Sequence, residues 1–332
     1  MQVLAKELLV SKLKEIHQGY YPKQELKALA QKGLFNGFNE GLFGAVKNIM
    51  LISSYCANTG FCVWCQYTLI WYLQNSSNET LKNKFIPLLS SGTEFGGTGL
   101  SNGAKALSDI EKNFIKAKKV DKGYVLNGSL PWVSNLDNNH YFALLCDADE
   151  NEKIFAFIDC SKAKLSDKIH FCALEGSATK SVSLNDYFLS DEFIIAKNGE
   201  EFFKKVLKGF LLLQCGMGLG LCKNSIELMK KAKKDDINFL PIKPNMLLDK
   251  VYDFEKKTAL LCENMNNTDI KEIVEFRLVL AELSLECSKW AVLYQGSNAY
   301  LKDSNGVKNL LESYFMALVT PSIKHLYKLL AK

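Results

Sequence analysis

Two changes of periodicity divide this chain of 332 residues into helical, extended and again helical stretches, and that order restricts its fold more than any single motif. From residue 1 to about 90, apolar residues recur at three- and four-residue spacing, as in Leu26, Leu29 and Leu34, or Trp64, Tyr67, Leu69, Tyr72 and Leu73. Asn78-Glu79-Thr80 ahead of Leu81, Phe85, Ile86 and Pro87 predicts a short capped helix with a proline stop. Between about 93 and 196 the texture changes to β-branched and aromatic runs: Tyr141 to Cys146, Ile154 to Asp159, Ile169 to Cys172 and Ser181 to Leu184. Turn residues separate them, at Asp121-Lys122-Gly123, Asp149-Glu150-Asn151 and Asn185-Asp186. Strands at roughly 8 to 12 residue spacing, without helices between them, predict an antiparallel barrel or sandwich. Helical periodicity returns near Glu200. The chain therefore reads as α+β: an N-terminal helical domain over 1–92, a central antiparallel β-barrel over 93–197 and a C-terminal helical bundle over 198–332.

Composition narrows the function. Hydrophobic residues make up 48% of the chain, enough for a large core. The longest apolar run, Phe210 to Cys222, is broken by Gln214 and glycines and falls short of the roughly 18 to 20 residues that span a bilayer, so no membrane segment is expected. The opening MQVLAKELLVSKLKEIHQGYY reads as an amphipathic helix and not a signal peptide, which predicts a cytoplasmic protein. Ten cysteines without an even framework predict reduced, mostly buried thiols, and the Cys62-Val63-Trp64-Cys65 pair lacks the further ligands that zinc needs. With histidines scattered at 17, 140, 170 and 325, no metal site is expected.

The net charge of +5 comes from lysine, with Arg277 the single arginine, which argues against base and phosphate recognition on a nucleic acid. The lysine runs at 116, 118 and 119 and at 230, 231, 233 and 234 read as solvated faces. The glycines between Gly209 and Gly220 lack the G-x-G-x-x-G spacing and the surrounding βαβ pattern of a dinucleotide site, so close helix packing is their reading.

The segment from Gly92 to Asn135 carries Leu100-Ser101-Asn102-Gly103, Ser108-Asp109 and Asn127-Gly128-Ser129-Leu130-Pro131-Trp132-Val133-Ser134-Asn135. Gln31-Lys32-Gly33-Leu34-Phe35 and the run Asn83 to Gly92 precede it, and Glu175-Gly176-Ser177-Ala178-Thr179 through Asp186 follows. In this order the pieces resemble the acyl-CoA dehydrogenase family along nearly the whole chain. The resemblance implies FAD as cofactor and an acyl-CoA or related small-molecule substrate. It also implies assembly as a homodimer or tetramer, or as part of a heteromer, with an electron acceptor that the motifs do not name. It would place Trp132 against the flavin ring, Ser134 near its N5, Ser101 at the pyrimidine edge, Leu100 and Val133 beside them, and Ser108 on the substrate path. Serine keeps a hydroxyl at 101 and 134. Pro131 removes a ladder donor, which predicts an altered strand edge before Trp132.

The chain also departs from the family. Dehydrogenation requires a carboxylate to take the α-proton of the thioester. Pro321 stands where the C-terminal motif has that glutamate, and Phe210 stands where other members carry it on the long helix. Glu282, Glu286 and Glu312 read as helix-surface charges, and no arginine occurs around Phe239 to Leu247, where the family meets the FAD pyrophosphate. The P-E-x-x-G-G loop is missing. No catalytic residue is assigned. The working reading is a flavin-dependent oxidoreductase on an acyl thioester or related substrate; the alternatives are a flavin monooxygenase on the same fold and a non-catalytic subunit of a heteromeric acyl-CoA dehydrogenase.

Overall fold

The computed structural model describes residues 1–148, 152–232 and 239–331; the Asp149-Glu150-Asn151 turn, Lys233 and Lys234 lie outside them. Five helices open the chain: α1 (Gln2–His17), α2 (Lys23–Ala30), α3 (Gly41–Ser53), α4 (Ala57–Asn75) and α5 (Glu79–Ser90). Asn78 caps α5, its side-chain oxygen accepting from the Leu81 amide at 3.0 Å. Pro87 does not stop α5, which continues to Ser90. α4 is buried along nearly its whole length. From it Gln66 donates to the Leu89 and Glu94 carbonyls at 2.9 and 3.0 Å and accepts from the Gly96 amide at 2.8 Å. One buried amide thus places the start of β1 (Gly96–Thr98).

The extended region holds β1, β2 (Lys116–Val120), β3 (Gly123–Val133), β4 (Tyr141–Asp147), β5 (Lys153–Asp159), β6 (Lys164–Leu165), β7 (Lys180–Ser190) and β8 (Ile194–Ala196), with helix α6 (Leu100–Leu107) between β1 and β2. They form one sheet in the order β6-β7-β3-β2-β4-β5-β8, with β1 added to β4. The antiparallel barrel expected from the sequence is corrected on two points. β1 and β2 each pair with β4 in parallel, and among the described residues no pairing joins β6 to β8, so the sheet is mixed and open. Helix-forming Ala104, Lys105, Ala106 and Leu107 make α6 where no helix is expected. Ile169 to Cys172 is no strand either, since the Phe171 amide turns to its own loop and donates to Glu175 Oε1 at 2.8 Å.

The C-terminal part comprises α7 (Gly199–Lys230), α8 (Pro244–Glu263), α9 (Ile270–Gln295), α10 (Asn305–Leu318) and α11 (Ile323–Leu330). α7 is longer than its apolar run suggests. It is long and apolar enough to cross a membrane, yet most of that stretch is buried, packed by α3, α4, α8, α9 and α10. Glycine makes this possible. A Cβ at Gly216 would meet the Val46 carbonyl at 2.7 Å, and one at Gly220 would meet Ser53 Cβ at 2.4 Å and the Met50 carbonyl at 2.5 Å. These glycines let the backbones of α3 and α7 touch, as the close-packing reading expects.

Gly220→Val should therefore force α3 and α7 apart at a cost of about 1–3 kcal/mol, the usual range for overpacking, seen as a lower thermal midpoint without loss of helical signal.

Candidate functional site

The site is built around an interruption at the end of β3. Along this strand Tyr124, Leu126 and Leu130 face the sheet core in alternation, but Pro131 and Trp132 both face outward before Val133 returns inward. The pairing with β7 shifts register between Leu130 and Val133. A proline with no N–H to give sits in this bulge, which is the altered edge expected from the sequence. Its effect is to turn Trp132 out, 62% exposed and edge-on to Phe171 at 6.4 Å, and to aim the following segment at the helices.

Asn135 locks that segment. Completely buried and at φ 62°, it donates to the Gly96 carbonyl at 2.7 Å and accepts from the Tyr21 hydroxyl at 2.7 Å. Gly97 lets β1 come close: a Cβ there would lie 2.2 Å from the Ser134 carbonyl. On the far side of β1, Asn102 of α6 accepts from the Phe114 amide at 2.7 Å and donates to the Lys112 carbonyl at 2.9 Å, fixing α6 to the following loop.

These elements enclose a cavity of about 380 Å³ between the sheet and the helices, within the range of small-molecule sites. Leu100, Ser101, Trp132 and Ser134, named from the sequence, share its wall. Phe61, Trp64 and Cys65 of α4, Phe210 of α7, Phe315 of α10 and Thr320 beyond it complete the apolar side. Phe61 meets Phe315 edge-on at 4.6 Å, and Trp64 meets Phe210 edge-on at 5.3 Å. Two hydroxyl groupings stand on the wall. Ser101 Oγ and Thr320 Oγ1 are 2.6 Å apart; Thr179 Oγ1 lies 2.7 Å from both Ser134 Oγ and Ser177 Oγ. Hydroxyls can donate or accept, so these clusters suit a ligand edge that carries both kinds of group. The described lining contains no carboxylate; its one lysine, Lys105, pairs with Glu111 at 3.5 Å.

Two residues expected at the site lie elsewhere. Val133 is 1% exposed in the sheet core, because the bulge turns its side chain away from the cavity. Ser108 is also buried and off the cavity lining, its hydroxyl 2.7 Å from His325 Nε2 of α11. Cys62 and Cys65 are buried thiols pushed well above their ordinary range by desolvation, as core cysteines are. Sequence reading did not single out Thr320, Thr179 or the aromatic side of the wall. The run Glu175 to Thr179 was a signal for Thr179, and the alignment that put Pro321 and Phe210 at the family's glutamate positions was one for Thr320 and Phe210; nothing local marked Phe61 or Phe315.

Glu312 is a second correction. It is no surface charge: α10 buries it to 4% exposure, with Oε1 3.8 Å from His17 Nε2 and no hydrogen-bond partner for that oxygen. Burial pushes its carboxyl up to about 8, and burial, reinforced by Lys308, pushes His17 down to about 4. Near neutrality the folded protein therefore favours an uncharged pair.

No family model matches the chain. Its sequence is 29% identical over 175 residues to mitochondrial isovaleryl-CoA dehydrogenase of Arabidopsis thaliana, a match covering 50% of this chain and 38% of that relative. The chain thus spans well under half the length of the curated relatives it matches. A glutaryl-coenzyme A dehydrogenase solved with glutaryl-CoA superposes with a TM-score of 0.83 at 18% identity, covering 99% of this chain and 93% of the other. The Mycobacterium smegmatis glutaryl-CoA dehydrogenase in complex with FADH2 gives 0.77 at 14% identity, covering 100% and 92%. An α-β-α protein with an aromatic cavity where its sheet meets its helices is the class that fold and site define. In part of its sequence and in its fold, the chain is similar to acyl-CoA dehydrogenases.

Stability should follow Glu312. Its folded-state value is raised from 4.5 to about 8, so the native state holds a proton that the unfolded chain releases, and stability falls as pH rises across that interval. Glu312→Gln should flatten this decline and raise the thermal midpoint at pH 8 to 9, measured by calorimetry. His17, with its value lowered, should weaken the protein as pH drops from 6.5 towards 4.

Proposed function

We propose that the cavity is a flavin site and that the chain is an FAD-dependent oxidoreductase acting on an acyl thioester or a related substrate. The observation that carries this reading is the convergence of Trp132 and Ser134 from the end of β3 with Ser101 of α6 on one apolar wall beside Thr320 and Thr179. The residues fit such a group. Aromatic and aliphatic surface would cover a planar ring, and the two hydroxyl clusters would meet its polar edge. Two proteins of this fold support the choice, one solved with FADH2 and one with glutaryl-CoA. Bound there, FAD would supply hydride acceptance. The chain's own residues would orient it: Trp132 shields one rim, and Ser134 and Ser101 offer hydroxyls whose positions are held by Thr179 and Thr320.

The carboxylate-free lining favours a reaction that takes no α-proton with a side chain of this cavity. That supports, as a second reading, a monooxygenase in which reduced flavin meets oxygen, where such a base is not required. Assembly as a homodimer, a tetramer or a heteromer with a base-bearing partner belongs to the same proposal.

Purified protein titrated with FAD should quench flavin fluorescence and shift its absorption spectrum. Trp132→Ala and Ser134→Ala should each weaken binding about tenfold or more, about 1.4 kcal/mol. Anaerobic bleaching of bound flavin by an acyl-CoA series supports the dehydrogenase reading. Oxygen-dependent product formation with an external flavin reductase supports the monooxygenase.

A further inference from the structure

Arg277, the only arginine of the chain, lies on α9 and is completely buried. A buried guanidinium normally faces a carboxylate. Among the described residues this one has none. Its Nε donates to Gln214 Oε1 of α7 at 2.8 Å, one Nη2 hydrogen goes to the Met316 carbonyl of α10 at 2.9 Å, and Nη1 has no hydrogen-bond partner. Desolvation lowers it to about 10, which leaves it a cation at neutral pH.

Gln214 carries the contact onward. Its Nε2 donates to the Thr320 carbonyl at 2.9 Å, and the Thr320 hydroxyl is the one paired with Ser101 on the cavity wall. The direction of this chain is fixed by chemistry. Arginine can only donate and a main-chain carbonyl can only accept, so the Gln214 amide has one orientation that satisfies both neighbours, and a flip would break both bonds. Phe210, one turn earlier on α7, and Phe315, beside Met316 on α10, line the same cavity. Arg277 therefore ties together the two helices and the segment after α10 that form one side of the site.

We propose that Arg277 is a positioning residue of the cavity: through the Gln214 amide it fixes the Thr320 carbonyl, and with it the hydroxyl that Thr320 sets against Ser101. With no acid paired to it among the described residues, its charge also favours an electron-rich ligand edge at that wall, since fields are little screened in a dry interior. The ligand part of this assignment rests on the flavin reading; the relay itself does not.

Gln214→Glu is the informative variant. It keeps the size of the side chain and an acceptor for Arg277, but removes the N–H that holds Thr320 and neutralises the cation. In ligand-free protein, hydrogen exchange over the segment 316–323 should rise at least tenfold with the global thermal midpoint near wild type. FAD affinity should fall at least tenfold, with an altered bound-flavin spectrum. Thr320→Val should lose FAD affinity to a similar degree while exchange in α9 stays unchanged. Exchange over 316–323 equal to wild type in Gln214→Glu would overturn the relay. Raised exchange with unchanged FAD affinity and spectrum would overturn the positioning role. If wild-type protein binds no FAD, the flavin reading falls, and the exchange measurement still decides whether Arg277 and Gln214 hold Thr320.

Discussion

Close contact between α7 and its neighbours is the constraint on which the rest of the structure depends. A helix of 32 residues buried on nearly every side leaves no room for side chains where backbones meet, and Gly216 and Gly220 remove them against α3. The same helix then serves three purposes along its length. Phe210 forms cavity wall, Gln214 joins the polar relay, and the glycine stretch packs the N-terminal helices against the C-terminal ones. Moving α7 would disturb the core and the site together, because interiors packed at crystal density transmit displacement.

Against this helical layer β4 and β5 set Ala143, Leu145, Phe155 and Phe157, while the cavity lies at the irregular end of β3. Regular β3 alternation would have kept every second residue in the core; the bulge at Pro131 breaks the pattern and points Trp132 and Ser134 to the junction. Asn135, Gln66 and Asn102 then hold the backbone around it through buried side-chain amides. Each satisfies main-chain groups that a loop would otherwise leave unpaired. The cavity is thus framed by fixed backbone, and its described side chains carry few polar groups: hydroxyls, the Lys105 amine, cysteine thiols and the indole N–H groups of Trp64 and Trp132.

Ionisable groups behind the wall behave differently from those on the surface. Surface lysines pair with nearby acids, as Lys116 and Lys153 do with Asp147, and add little net stability. Among the described residues Arg277 pairs with no acid and remains a buried cation, and Glu312, beside His17, is a carboxyl kept protonated by burial. Both lie next to elements that line the cavity, so desolvation acts where the site is built.

The helical, extended and helical order was legible in the sequence because helical periodicity depends on neighbours three or four residues apart, and Ser101, Trp132 and Ser134, which share the cavity wall, were legible because they lie in segments whose local spacing is characteristic. Pro131 even announced the bulge. Strand direction was not legible, since parallel pairing of β1 and β2 with β4 is set by long-range main-chain hydrogen bonds such as those from Gly99 to Ala143 and from Asp147 to Ile115. Nor was the burial of Glu312, which on its own helix looks like any solvated acid until α1 brings His17 against it. By itself the sequence determined which residues carry hydroxyls, rings and charge, and the order of the elements. Tertiary structure alone decided which of them meet: it turned Val133 inward, gave Ser108 to His325, and set Thr320 against Ser101, because such contacts join residues that no local pattern connects.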